Sequence, residues 1–132
     1  MSDLDIYLTK ISKPFYDFYI KNKENFETAK HTHHPGIQKL EGGLKIHTIQ
    51  VTKKALELNQ EFDEKEVIEV CLIHDIKGCE KLPLTIRQRM AIDATKGLPY
   101  EKWRQNKPDI YRFVVLILIA DMWSAFINIK NL

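Results

Sequence analysis

Apolar positions along this chain recur at helical spacing almost throughout. In GGLKIHTIQVTKKALELNQ, residues 42–60, Leu44, Thr48, Val51, Ala55 and Leu58 share one face at i, i+4, i+7 intervals, with His47 at its edge. FDEKEVIEVCLIHDIKG, residues 62–78, predicts a second helix. Asp63 with Glu66 three residues on approaches a capping box, and Gly78 suits a left-handed C-terminal cap. Between them, Val67 to Ile73 is apolar almost all round, which places this helix at the centre of the fold. After a turn at LPL, a basic helix is predicted to about Thr95, KGLP breaks the chain again, and a last helix starts near Pro108, a good first-turn residue. Residues 3–29 also read as helical, with Pro14 breaking the run or starting a new turn. Their aromatics Tyr7, Phe15, Tyr16, Phe18, Tyr19 and Phe26 are assigned to the core. No stretch alternates as a strand does. The expected fold is all-α, a compact bundle of about five to seven helices, with residues 1–132 one domain and residues 1–30 an N-terminal helical segment packed on it.

Composition changes this picture little. A length of 132 residues, 44% of them hydrophobic and 29% charged, is ordinary for one globular domain, and a net charge of +2 announces neither a nucleic-acid nor a membrane partner. The local balance says more. Lys77 to Arg112 holds nine basic and four acidic residues, whereas Glu57 to Asp75 holds seven acidic and one basic. A cationic wall for a phosphate-bearing ligand is one reading; two solvated helix surfaces are the simpler one. Cys71 and Cys79 form no CxxC pair, so a reducing cytoplasm is the expected location. MSDLDIYLTK lacks the basic-then-apolar order of a signal peptide, and the last apolar run is too short for a membrane span.

Three of the predicted core helices carry ionisable groups. Seven of the eight residues flanking Asp121 between Ile117 and Ala125 are apolar, and no Lys or Arg lies within a turn of it. An unpaired carboxylate there costs several kcal/mol or more, so Asp121 calls for neutralisation, a cationic partner or a metal ion. His47 alone reads equally as a satisfied boundary residue, and His74 with Asp75 as a helix cap. Together, two imidazoles and two carboxylates from three packed helices make a sensible divalent-metal site with positions left for water and substrate.

The segments GGLKIHT, then LIHDIKG, whose His74 lies 27 residues after His47, and ADMWSA near the end resemble the pattern of the HD-domain metal-dependent phosphohydrolases. The resemblance covers roughly residues 31 to 127 and implies an HD-type helical bundle with His47, His74, Asp75 and Asp121 as metal ligands. Two departures stand out. The family's usual HDIGK reads HDIKG here, with Lys77 one place early, and where many members carry further histidines this chain reads AIDATKG, with no His after His74. One divalent ion is therefore expected, drawn from Mn, Fe, Mg, Co, Ni or Zn.

The resemblance implies hydrolysis of a phosphomonoester or phosphoanhydride by a metal-activated water, with a small nucleotide as substrate. Asp75, Lys77 and His34 are the candidate catalytic residues, and His33, Lys96 and Arg87 the candidate substrate-binding residues. His31 and Arg89 belong to the same polar sets with a weaker case, and Tyr100 and Trp103 read as core or lid. A 3′-end exonuclease on short RNA or DNA is the rival enzyme, and a non-catalytic HD module binding a nucleotide or a partner protein the rival of another class. A homo-oligomer is a further expectation to which no residue points.

Overall fold

The computed structural model describes residues 1–30 and 41–126. Among these residues the chain is all-helical, with seven α-helices and no strand: α1 Asp3–Leu8, α2 Lys13–Thr28, α3 Gly43–Leu58, α4 Glu64–Ile73, α5 Ile86–Thr95, α6 Tyr100–Trp103 and α7 Pro108–Phe126. A single 3-10 turn, Cys79–Lys81, lies between α4 and α5.

Local chemistry sets most of the helix starts. Ser2 and Asp5 form a reciprocal capping box on α1, as do Thr85 and Gln88 on α5. Pro14 occupies the first turn of α2, where its missing N–H costs nothing, so it starts a helix rather than bending one. The cap of α2 is tertiary. Ser12 donates its backbone N–H and its hydroxyl to Glu69 Oε2 of α4, at 2.9 and 2.6 Å, and Gln88 Nε2 of α5 donates to Glu69 Oε1 at 3.3 Å. A carboxylate buried in the core is thereby satisfied while it ties three helices together.

Two expectations at α4 need correction. Asp63 does cap the helix, accepting from the Lys65 amide at 3.1 Å, but Glu66 does not close a box with it. Glu66 instead accepts from Thr85 Oγ1 and, in a two-pronged pair, from Arg87 Nε and Nη2 at 2.7 and 2.6 Å. The helix also ends at Ile73, one turn before Gly78. Gly78 has the expected left-handed backbone, φ 95°, but it opens the 3-10 turn instead of closing α4. His74 caps the helix in helical geometry, its amide still bonded to the Val70 carbonyl, and Asp75 to Lys77 leave the helix cylinder.

Val67, Ile68, Val70, Cys71, Leu72 and Ile73 are fully buried, which confirms α4 as the central helix. α7 packs on α3 and α5, α3 packs on α4, and α2 lies against both α3 and α4. Of the N-terminal aromatics, Tyr7, Phe15, Tyr19 and Phe26 are buried and Phe18 packs against the core, whereas Tyr16 is exposed. Leu58, on the same face of α3 by its spacing, is also exposed, in an open groove that it lines with Phe62 and with Val115 and Leu116 of α7. Trp103 is buried and Tyr100, in edge contact with it, is exposed; their four-residue helix α6 fell in the expected break.

The charge asymmetry of the sequence resolves into pairs. Arg112 of the basic segment holds Glu61 of the acidic one at 2.6 Å, and Arg87 holds Glu66. Two of the nine basic residues of the segment, Arg87 and Arg112, thus reach the acidic segment, while Lys77, Lys81, Arg89, Lys96, Lys102, Arg104 and Lys107 are exposed.

Candidate metal centre

Backbone bonds bring the first turn of α3 to the end of α2: the Gly42 amide donates to the Thr28 carbonyl and the Leu44 amide to the Ala29 carbonyl. This anchor sets His47 in the second turn of α3, where it is fully buried instead of lying at an edge. His74 and Asp75 follow directly on α4, and Asp121 comes from the C-terminal half of α7. The four residues converge. One ligand atom from each of His47, His74, Asp75 and Asp121 lies within 4.8 Å of all the others.

The distances are short and similar. His47 Nε2 is 2.7 Å from Asp121 Oδ1 and 3.5 Å from Asp75 Oδ2; His74 Nε2 is 3.0 Å from Asp75 Oδ2 and 3.4 Å from Asp121 Oδ1. An ion with ligands at about 2.1 Å separates adjacent ones by roughly 3 Å, so these spacings are those of neighbouring donors around one centre.

The far side of each ring fixes which nitrogen faces the centre. His74 Nδ1 lies 2.8 Å from the Cys71 carbonyl oxygen, and because a carbonyl only accepts, this nitrogen carries the proton. Ser124 donates its hydroxyl to Gln50 Oε1 at 2.7 Å, which leaves its oxygen to accept from His47 Nδ1 at 3.0 Å. When both rings are neutral, each points an Nε2 lone pair at carboxylate oxygens. Lone pair against lone pair is repulsive, so the arrangement demands a positive charge between them. His74 Nε2, fully buried and without a hydrogen bond despite its two close oxygens, marks the place.

The proton equilibria express the same frustration. Burial lowers the pKa of His47. Burial alone would also lower that of His74, but the Asp75 and Asp121 carboxylates outweigh it and hold the ring's pKa well above its ordinary value. Asp121, though buried, is driven below the usual carboxylate range by the two imidazoles. Without a metal, a proton on His74 supplies the missing charge. With two imidazoles and two carboxylates held by bonds on their far sides, the group could hold a divalent metal ion.

The centre is largely buried and opens at Asp75. That carboxylate lines a cleft of about 360 Å³ together with Ile76, Lys77, Leu44 and the α2 residues Asn22, Asn25, Phe26 and Ala29. Lys77, exposed, thus shares a cleft with a metal-site carboxylate although it stands one place early in HDIKG. Lys96 approaches from behind. Its Nζ is 3.9 Å from Cys79 Sγ, which lies 3.9 Å from the His74 carbonyl oxygen.

Arg87 is not brought to the centre. It is held by Glu66 and by Asp109 at 3.6 Å, and it lies over the rings of Phe62 and Phe113. Glu66 precedes His74 by eight residues, about 12 Å along α4, so Arg87 braces the opposite end of the bundle. Arg89 donates to the Glu80 carbonyl. His31, His33 and His34 lie outside the described residues. Sequence reasoning passed over Ser124 and Gln50, which orient His47; a polar residue three places after Asp121, one helical turn on, was the available signal. Searches against protein-family models, curated proteins and solved structures find no match to this chain.

Proposed function

We propose that this chain is a metal-dependent phosphohydrolase of the HD-domain type that acts on a small nucleotide. One observation carries the reading: both imidazoles are locked as donors on their far sides and aim Nε2, with the oxygens of two carboxylates, at a single point beside an open cleft. His47, His74, Asp75 and Asp121 would hold one divalent ion, and such an ion, when bound, polarises a phosphoryl oxygen and acidifies an attacking water.

The chain's own residues supply the rest. Asp75, between the buried centre and the cleft, orients the water and accepts its proton. Lys77 meets the phosphoryl oxygens from the cleft wall, where its charge opposes the negative charge that builds during transfer. Asn22 and Asn25 line the same cleft and offer amides to the sugar or base. His34 as acid, with His33 as a further phosphate contact, completes the proposal.

Cleft size favours a small substrate. About 360 Å³ suits a mononucleotide-sized ligand, and the Glu61–Arg112 and Glu66–Arg87 pairs engage two of the cations on which an exonuclease could draw. No described helix is long and apolar enough to cross a membrane, and both cysteines are free, in keeping with a reducing cytoplasm.

The test is phosphate release from a panel of nucleotides and short oligonucleotides with Mn²⁺, Mg²⁺, Co²⁺ and Ni²⁺. Metal-dependent hydrolysis of a nucleotide is expected, abolished in Asp75→Ala and reduced about 10- to 100-fold in Lys77→Ala with metal content unchanged. A chain that binds metal and hydrolyses nothing would overturn the enzymatic reading in favour of a binding module.

A further inference from the structure

Thr48 carries a buried hydroxyl that the fold does not use. It follows His47 on α3, is 1% exposed, and its Oγ1 finds no hydrogen-bond partner among the described residues. A helical threonine ordinarily returns its hydroxyl to the carbonyl one turn back, as Thr52 does to the Thr48 carbonyl at 2.8 Å. A buried hydroxyl left unsatisfied is costly, so it calls for a partner that the chain itself does not supply.

Its neighbours on α3 fix where that hydroxyl lies. Leu44, Thr48 and Thr52 stand four residues apart on one face of the helix. Thr52 reaches the thiol of Cys71 on α4. Leu44, at the other end of the row, lines the cleft with Asp75, Ile76 and Lys77. α3 and α4 run antiparallel here, since His47, which precedes Thr52, meets Asp75, which follows Cys71, at 3.5 Å. Thr48 therefore lies between the Cys71 contact and the cleft, level with His74 and Asp75. His74 Nε2, the buried ring nitrogen without a hydrogen bond, belongs to the same level. Two buried polar atoms, one from α3 and one from the end of α4, thus lack partners at one depth of the core.

The two ask for different things. The Nε2 lone pair calls for a cation. A neutral hydroxyl is a poor ligand for such an ion beside two carboxylates and two imidazoles, but it both donates and accepts, and so suits a water, which is held by two to four polar contacts. At this depth there is access for a ligand of one heavy atom and none for a phosphoryl group.

We infer that Thr48 is a water-binding residue of the centre: its Oγ1 and the Asp75 carboxylate together hold a single water or hydroxide. The inference rests on the metal-dependent reading of the site, in which this ligand is the water that attacks phosphorus. Asp75 both joins the cluster and lines the cleft, so a water shared with the buried Thr48 sits on the inner side of the reacting group. A hydrogen bond from Asp75 alone leaves the water free to turn; a second from Thr48 fixes its direction.

Fluoride, with the size and charge of hydroxide, is the probe. Calorimetry on the full chain loaded with Mn²⁺ should show fluoride binding that weakens about 10-fold or more in Thr48→Val, whose methyl takes the place of the hydroxyl, and returns in Thr48→Ser. Phosphate release from the nucleotide panel should fall about 10- to 100-fold in Thr48→Val and recover in Thr48→Ser, with metal content unchanged. Urea unfolding of metal-free Thr48→Val should show no loss of stability, because the hydroxyl it removes has no partner in the fold. A loaded wild type that binds no fluoride, or a Thr48→Val protein that binds it as tightly, overturns the inference. So does a Thr48→Val protein less stable than the wild type, since the hydroxyl then serves the fold. A chain that hydrolyses nothing yet loses fluoride affinity in Thr48→Val overturns the phosphohydrolase reading and upholds the water site. A chain that takes up no ion overturns both.

Discussion

Ser124 has no expected contact with substrate, yet its oxygen decides which nitrogen of His47 faces the metal centre. Ser124→Ala should therefore lower divalent-metal affinity about 10- to 100-fold while the protein stays folded, as measured by competition with a chelating dye. The imidazoles also give the metal-free protein a pH signature. His74 has a folded pKa above its unfolded value of 6.5, so its contribution is complete below 6.5 and is lost as pH rises through the folded value. His47 is depressed below 6.5, so its contribution is complete above 6.5 and is lost as pH falls toward the folded value. The two signs make the cluster's contribution greatest near pH 6.5. Melting temperature in the presence of a chelator should peak there, and saturating metal should remove the alkaline decline, because the ion replaces the proton on His74. Asp121 was legible as an anomaly, since a carboxylate in so apolar a run must meet a positive charge. Which nitrogen of each ring faces it was not, because that depends on Cys71, Gln50 and Ser124 meeting across three helices.

At the scale of elements, periodicity located α3, α4, α5 and α7, and Pro14 and Pro108 lie in the first turns of α2 and α7. The end of α4 was hidden. A run apolar on every side carries no phase, and the left-handed Gly78 suits a helix cap as well as a turn. That early end matters chemically, because Asp75, just past the cap, has its carboxylate 3.0 Å from Nε2 of His74, the cap residue. Gly78→Ala should cost about 1–2 kcal/mol in urea unfolding: its φ of 95° is hostile to a side chain, although the added carbon would meet only the Phe18 ring at 3.7 Å. Arg87, read from its charge as a phosphate ligand, is tied to Glu66 between α4 and α5. Glu66 and Arg87 sit 12% and 27% exposed, so Arg87→Ala should destabilise by about 2–3 kcal/mol and leave metal stoichiometry unchanged, a pairing of effects that a substrate-binding role does not produce.

Taken whole, the molecule gathers two imidazoles and two carboxylates into one cluster on a largely apolar scaffold. α4 supplies a core whose buried polar side chain, Glu69, is satisfied, α3 packs on α4 and α7 packs on α3, and α3 and α7 each deliver one residue to the cluster at the point where α4 ends. Such a scaffold tolerates two carboxylates and two imidazoles in contact because a cation can balance them, and the cluster meets a cleft at Asp75. The all-helical class followed from spacing alone, and the cluster from four residues that spacing left on core helices. The cleft and the groove on α7 did not, since each is a space between elements whose crossing angles no local pattern encodes. Equilibrium binding of Mn²⁺ or Co²⁺ tests the central claim most directly. The account predicts one ion per chain for the wild type and none for Asp121→Ala, with both proteins equally helical. Wild-type protein that takes up no divalent ion, or an Asp121→Ala variant that binds one as tightly, would contradict it.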